Sequence, residues 1–256
     1  MKILVIGGSG LIGSKVIPRL RALGHEAISA SPSSGVNTVT GEGLDAAMAG
    51  VDTVLDLSNS PSFADKDVLA FFETTGKNIG AAEAKAGVKH HVALSVVGAD
   101  RLPDSGYLRA KVVQEKLIRE SGVPYTIVRS TQFFEFLNGI VQASAKGESV
   151  HLSTGYMQPI ASDDVADAMA SATVGAPVDG IVEIGGPDKI RMADLVQRFL
   201  AATKDPRQVI PDPKALYFGT VLEPDSLVAG PGAKLGTIDF EAWFKQSEFA
   251  KAGAAA

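Results

Sequence analysis

A short apolar run that ends in glycines, followed at once by an amphipathic stretch, constrains this chain more than any other feature. Ile3-Leu4-Val5-Ile6 is bounded by Gly7-Gly8, the pattern of a strand buried on both faces of a parallel sheet. Gly7-Gly8-Ser9-Gly10-Leu11-Ile12-Gly13 follows and carries G-x-G-x-x-G at Gly8, Gly10 and Gly13. Leu11, Ile12, Val16, Ile17, Leu20 and Leu23 then recur at helical spacing up to Gly24, with Pro18 as a candidate kink. Between a strand and a helix, such glycines permit a tight turn, close approach of a pyrophosphate to the backbone, and close packing of helix on strand. The helix N-terminus presents free N–H groups to the phosphates. All seven residues from Gly7 to Gly13 are therefore candidate dinucleotide contacts. A Walker A loop would end in Gly-Lys-Ser/Thr, which is missing here.

The alternation continues. Strands are expected at Ala27–Ala30, weakly at Asn37–Thr40, then at Thr53–Leu57, His91–Ser95, Tyr125–Val128 and Ile181–Ile184. Helices are expected at Gly43–Gly50, Asp65–Gly87, Tyr107–Ser121, Val165–Val174, Met192–Ala202 and Asp239–Gln246, with Ser162-Asp163-Asp164 as an N-cap. Strands alternating with helices imply an α/β protein with a Rossmann, doubly wound parallel sheet. The expected organisation is a dinucleotide-binding domain over 1–150 and a small C-terminal substrate lobe, 151–256, packed on it. Pro206 to Lys234 is rich in proline and glycine and fixes no pattern, and the Ala-rich tail after Phe249 lacks a globular one.

Composition narrows the function. The 256 residues carry a net charge of −5, so nucleic acid and anionic lipid are not expected partners. The absence of cysteine removes disulfides and thiolate chemistry. The four histidines, His25, His90, His91 and His151, lack zinc-ligand spacing, so no metal is expected; His90 and His91 are read as exposed residues at a strand start. Neither a G-x-S-x-G elbow nor an apolar leader is visible, which points to a cytoplasmic chain without a membrane segment.

An NAD site usually places a carboxylate about 20 residues past the glycines to hold the ribose 2′-OH. Here the second strand runs into Ser29-Ala30-Ser31-Pro32-Ser33-Ser34-Gly35. No carboxylate repels a 2′-phosphate, and Ser31, Ser33 and Ser34 could bind one, which favours NADP over NAD and leaves NAD open. Further on, Tyr107 and Lys111 share one helix face at i and i+4. An ammonium beside a phenol lowers its pKa, and such a phenol exchanges a proton with a carbonyl or alcohol oxygen. Lys111 can also donate to ribose hydroxyls. Ser95 closes the preceding strand and is expected to face the same crevice, hydrogen-bonding the substrate carbonyl.

The glycine loop, Ser95, and Tyr107 with Lys111 together resemble the short-chain dehydrogenase/reductase superfamily, and most closely its atypical NmrA-like branch. Pro124-Tyr125-Thr126-Ile127-Val128-Arg129-Ser130 with Phe133-Phe134-Glu135, and Pro159 to Ala166, are similar to that branch's later elements. The resemblance implies a nicotinamide cofactor and hydride transfer, with Ser95 orienting substrate, Tyr107 as acid/base, and Lys111 tuning it and binding ribose. Two departures stand out. Leu57-Ser58-Asn59-Ser60-Pro61 replaces the usual Asn-Asn-Ala-Gly turn and offers Ser58 and Asn59 as cofactor contacts. Ser130 stands where the branch often has proline, and is the cofactor contact expected there.

Phe133, Phe134, Phe136 and Leu137, with Met157 from the C-terminal lobe, are candidate linings of an apolar substrate pocket. The resulting expectation is an NADP(H)-dependent oxidoreductase acting on a small, largely apolar ketone, enone or quinone, as a monomer or homodimer. Two alternatives stay open: a non-catalytic NADP(H)-sensing regulator, and a sugar-nucleotide epimerase or dehydratase.

Overall fold

A computed structural model describes the backbone of residues 1–254 and the side chains of residues 1–251. In chain order the elements are β1 (Lys2–Ile6), α1 (Gly13–Ala22), β2 (Glu26–Ala30), α2 (Leu44–Met48), β3 (Thr53–Asp56), α3 (Asp65–Ala86), β4 (His90–Val96), α4 (Gly106–Glu120) and β5 (Tyr125–Ser130). They continue with α5 (Leu137–Ser144), β6 (Ala145–Lys146), β7 (Ser149–Leu152), β8 (Tyr156–Met157), α6 (Ser162–Val174), β9 (Gly180–Gly185) and β10 (Ile190–Arg191). The last are α7 (Met192–Ala202), β11 (Gln208–Pro211), β12 (Lys234–Leu235), α8 (Phe240–Gln246) and α9 (Glu248–Ala254). The Ala-rich tail thus starts as helix α9, and residues 255 and 256 lie outside the described residues.

Seven strands form one sheet in the order β12-β9-β5-β4-β3-β1-β2, and every pairing is parallel. This is an α/β Rossmann-like fold. The chain leaves β1 to one side for β2 and returns to the other side for β3, so the strand order reverses between β1 and β3. In open α/β sheets the ligand crevice lies at that point, beyond the carboxyl ends of the strands. Apolar side chains on both faces of the strands supply the cohesion. Ile3, Val5, Val92 and Val128 pack with α1 and α6, while Leu4, Ile6 and Val54 pack with α2 and α3.

Residues beyond 150 have two destinations. Strands β9 and β12 complete the main sheet, and α6 covers one of its faces beside α1. The others build a second core, where Leu137, Val141, Leu152, Met192, Phe199 and Trp243 meet.

Three sequence expectations need correction. Asn37–Thr40 is not a strand: the Asn37 side chain accepts the backbone N–H of Val39 and Thr40 at 2.9 and 3.3 Å, which makes a turn. His90 and His91 are buried, because β4 is a central strand covered on both faces. His91 Nδ1 lies 2.6 Å from Glu83 Oε1 of α3. Finally, Ala161 holds the N-cap position of α6 with no side-chain cap bond. Asp163 instead pairs with Lys15 and Arg19 of α1 at 2.6 and 3.0 Å. Asp164 accepts the backbone N–H of Thr237 and Ile238 at 3.0 and 2.9 Å.

Candidate functional site

The crevice floor is the glycine loop, and its glycines differ in what they tolerate. Gly7 has φ of +73°, and a Cβ there would sit 2.6 Å from Leu57 O, so the turn after β1 presses on the turn after β3. A Cβ on Gly8 would meet Ser29 Oγ at 2.5 Å, and one on Gly13 would meet Gly7 O and Gly8 Cα at 2.5 Å. These three are required by the fold itself. Gly10 is different: its nearest neighbour would be Gly7 O at 3.2 Å, and the residue is exposed. With no side chain there, the backbone of the turn into α1 is open to approach by a phosphate. Ser9 and Leu11 are exposed beside it and Ile12 is buried.

The surrounding turns carry polar atoms that the protein itself does not satisfy. Ser58 Oγ, after β3, and Gln132 Oε1, after β5, are buried without a hydrogen-bond partner among the described residues. Buried orphans of this kind are uncommon. They follow β3 and β5, at the carboxyl ends of strands on the β3 side of the point where the sheet order reverses, and they fit a ligand bearing hydroxyl and amide groups. Asn59 is exposed next to Ser58. Past β2, Ser31 Oγ and Ser33 Oγ are 2.8 Å apart, and Ser34 Oγ accepts the Ser31 N–H at 2.9 Å. Ser31 is nearly buried, whereas Ser33 and Ser34 face solvent. Ser130 donates to the carbonyl oxygen of Thr131 at 2.9 Å and is buried.

Helix α4 places Tyr107 and Lys111. Ser105 caps it, accepting the Leu108 N–H at 3.4 Å. The Tyr107 ring lies 5.5 Å from Phe63 and 6.4 Å from Phe72, and the Lys111 ammonium sits 4.6 Å over Phe72. Lys111 is buried and donates to the Leu94 carbonyl at 2.9 Å and to Gln114 Oε1. Burial lowers its pKa to about 8, against the pull of Asp56 and Glu115 in the other direction. Burial pushes the Tyr107 phenol up to about 12. This corrects the expectation that Lys111 lowers it: two of the ammonium's three donors go to Leu94 and Gln114, and the Phe72 ring lies against both groups.

The position of Ser95 also differs from the expectation. Its Oγ donates to Glu115 Oε1 at 2.6 Å beneath α4, and Arg129 binds the same carboxylate at 2.8 and 2.7 Å. Asp100 accepts from Arg129 at 2.8 Å. Ser95 therefore belongs to a buried ion-pair network joining β4, β5 and α4, and its hydroxyl proton is already committed.

Of the expected pocket residues, Phe134, Leu137 and Met157 are core side chains; Phe134 stacks on Trp243 at 5.2 Å. Phe133 is half-buried and stacks on Phe136, which is exposed, at 5.4 Å. Sequence reasoning missed Phe63, which lies 65% exposed against Tyr107. It missed Tyr217 too. This phenol is pushed above its usual range by burial and by the nearby Tyr107. A tight turn carries it, closed by Tyr217 N–H to Thr220 O at 2.8 Å. Neither residue stands in a recognisable motif; only the fold brings them to Tyr107. Among the described residues no cluster of three His, Asp or Glu could hold a metal, and no helix is long and apolar enough to cross a membrane.

Comparison with known proteins agrees with this geometry. Residues 7–174 match the NAD(P)H-binding family model. The chain is 33% identical over 144 residues to the (4-alkanoyl-5-oxo-2,5-dihydrofuran-3-yl)methyl phosphate reductase of Streptomyces griseus, covering 51% of this chain and 48% of that protein. The chain thus spans about half the length of this relative. It is 30% identical over 224 residues to the NAD(P)H azoreductase of Xenophilus azovorans, covering 80% of this chain and 74% of that one. Among solved structures, the UDP-glucose 4-epimerase of Thermus thermophilus in complex with NAD superposes with a TM-score of 0.72 over all of both chains, at 20% identity.

Proposed function

Since this chain belongs to the NAD(P)H-binding family, we propose that it is an NADP(H)-dependent reductase of a small, largely apolar carbonyl compound, of NmrA-like type and cytoplasmic. The observation that carries this reading is Tyr107: a phenol whose pKa is raised by burial, set among Phe63 and Phe72, with the Lys111 ammonium over the Phe72 ring. At neutral pH it keeps its proton. It can therefore act as the acid that meets a developing oxyanion; the direction of reduction is the one its reductase relatives support.

The bound nicotinamide would supply the hydride. Gly10 and the α1 N-terminus hold the pyrophosphate, Ser58 Oγ and Gln132 Oε1 take polar edges of the cofactor, and Ser31, Ser33 and Ser34 receive a 2′-phosphate. Lys111 donates to the ribose. Tyr107 gives its Oη proton to the substrate oxygen as that oxygen becomes an alkoxide. The rings of Phe63 and Phe133 exclude water and suit a ketone, enone or quinone. The segments after residue 150 that carry Tyr217 form the substrate side. A reductase relative and an azoreductase relative support reduction over epimerisation.

The test is a panel of ketones, enones and quinones offered with NADPH and NADH, followed by nicotinamide absorbance. NADPH is expected to be consumed. Tyr107→Phe should slow turnover at least about a hundredfold, the usual worth of general acid catalysis, with nucleotide affinity preserved. Full turnover in Tyr107→Phe overturns the mechanism, and nucleotide binding without any turnover would identify a sensor.

A further inference from the structure

One carboxylate ties together three parts of the crevice. Asp56 ends β3 and is 3% exposed, yet among the described residues it has no cationic partner in direct contact. Its two oxygens face different ways. Oδ1 accepts the backbone N–H of Ser58 at 2.9 Å, fixing the turn whose Leu57 carbonyl backs Gly7. Oδ2 accepts from Gln114 Nε2 of α4 at 2.7 Å. The Gln114 amide, itself 2% exposed, then presents its Oε1 to the Lys111 ammonium. The order is fixed by chemistry: a carboxylate only accepts and an ammonium only donates, so the amide between them has a single workable orientation.

We propose that Asp56 and Gln114 are positioning residues that aim the Lys111 ammonium at the cofactor, through the relay Asp56–Gln114–Lys111. The proposal rests on the reading that Lys111 holds the ribose, but not on turnover. It explains why α4 carries an amide one turn after the lysine, on the buried side of the helix, where an apolar residue would otherwise pack. It also explains how the turn that backs the glycine loop and the lysine keep a common register although one follows β3 and the other lies on α4. Further charges bear on the same spot. Asp56 and Glu115 both favour the charged form of Lys111. The His91–Glu83 pair lines the same small cavity as Asp56 and Gln114, and Asp56 favours the charged form of His91.

The relay makes an unusual demand on substitution. In Asp56→Asn the new side chain can still accept from Ser58, but its amide nitrogen then faces Gln114. Gln114 must turn its oxygen toward that nitrogen and its NH₂ toward the ammonium, which has lost its acceptor. Replacing Gln114 by glutamate as well restores the relay: the introduced carboxylate accepts from both neighbours, and the charge is moved instead of removed.

NADPH binding is measured by calorimetry across a pH series in the full-length protein, with circular dichroism and melting as fold controls. Asp56→Asn is expected to weaken binding about tenfold and to move the alkaline decline of affinity to lower pH. Gln114→Met, which leaves the Asp56–Ser58 bond intact, should weaken it similarly. The double variant Asp56→Asn/Gln114→Glu should return to within about threefold of wild type. The idea is overturned if folded Asp56→Asn and Gln114→Met bind like wild type, or if the double variant is folded yet no better than Asp56→Asn. Should Asp56→Asn fail to fold, Gln114→Met and the double variant decide. Wild-type binding without turnover would sink the reductase reading alone and leave this relay standing; no binding at all would sink both.

Discussion

Lys111 is held in its charged form against a low-dielectric surrounding, and the balance is close. Its folded pKa of about 8 lies below the usual lysine value. Below that value the ammonium is present and can hold the cofactor ribose; above it the amine is neutral and that hold weakens. The expected kcat/KM for carbonyl reduction is therefore level from neutrality to about pH 8 and falls on the alkaline side, and a profile flat to pH 10 would remove Lys111 from the mechanism. The stability sign is opposite. Because the folded pKa is depressed, the unfolded chain binds the proton more tightly between about pH 8 and the usual lysine range near 10.4, so this group's contribution to stability rises with pH there. Ser95 gives a second prediction at this scale. With its hydroxyl committed to Glu115 at 2.6 Å, Ser95→Ala should cost about 1 kcal/mol of stability and leave kcat within about twofold. A large loss of kcat with an unchanged melting temperature would place Ser95 back at the substrate.

Among elements, the turn from β1 into α1 separates a glycine the fold needs from one the ligand needs. A Cβ on Gly13 would meet backbone at 2.5 Å, where nothing can give, while one on Gly10 would meet only Gly7 O at 3.2 Å. Gly13→Ala is expected to cost about 3 kcal/mol through overpacking. Gly10→Ala should melt close to wild type and lose at least about tenfold in nucleotide affinity, measured by calorimetry. Wild-type affinity in Gly10→Ala would contradict a phosphate site at Gly10. The α3–β4 contact carries another prediction. His91→Leu strands the Glu83 carboxylate in the interior and should cost about 3 kcal/mol, whereas adding Glu83→Leu should recover much of it; melting curves of both variants decide. These elements also show what was legible beforehand. Strand and helix periods placed β1, α1, β3, α3, α4 and α7 because burial on a fixed face leaves a local pattern. Asn37–Thr40 misled because an asparagine side chain competing for backbone N–H groups leaves no mark on hydropathy. His90-His91 misled because a polar pair at a strand start looks solvated until α3 supplies Glu83. Within the candidate site, what was legible is what depends on local spacing: the glycine turn from β1 into α1, and Tyr107 with Lys111 on one helix, α4. It was hidden where partners come from distant elements: Glu115 capturing Ser95, Asp56 reaching Gln114, Tyr217 arriving beside Tyr107.

For the whole molecule, the question is whether the first 150 residues can stand alone. The sheet predicts that they do not. Strand β5 pairs with β9 from Thr126–Gly180 to Ser130–Ile184, so a chain cut at 150 leaves β5 as an open edge. Helix α6 is lost as well, and with it Val165 and Met169, which cover the face formed by Val5, Val92 and Val128. A flat, apolar, unpaired edge beside an uncovered apolar face favours association between chains. The second core fails in the same cut, since Phe134 and Leu137 lose Trp243, Phe199 and Met192. A 1–150 fragment is therefore expected to be insoluble, or soluble without a cooperative melt, and without nucleotide affinity despite an intact glycine loop. The phosphate cradle depends on the loop being pressed against the β3 turn, and that pressure is a property of the complete sheet. A fragment that melts cooperatively and binds NADPH would show instead that β9, β12 and α6 are additions to a self-sufficient nucleotide domain.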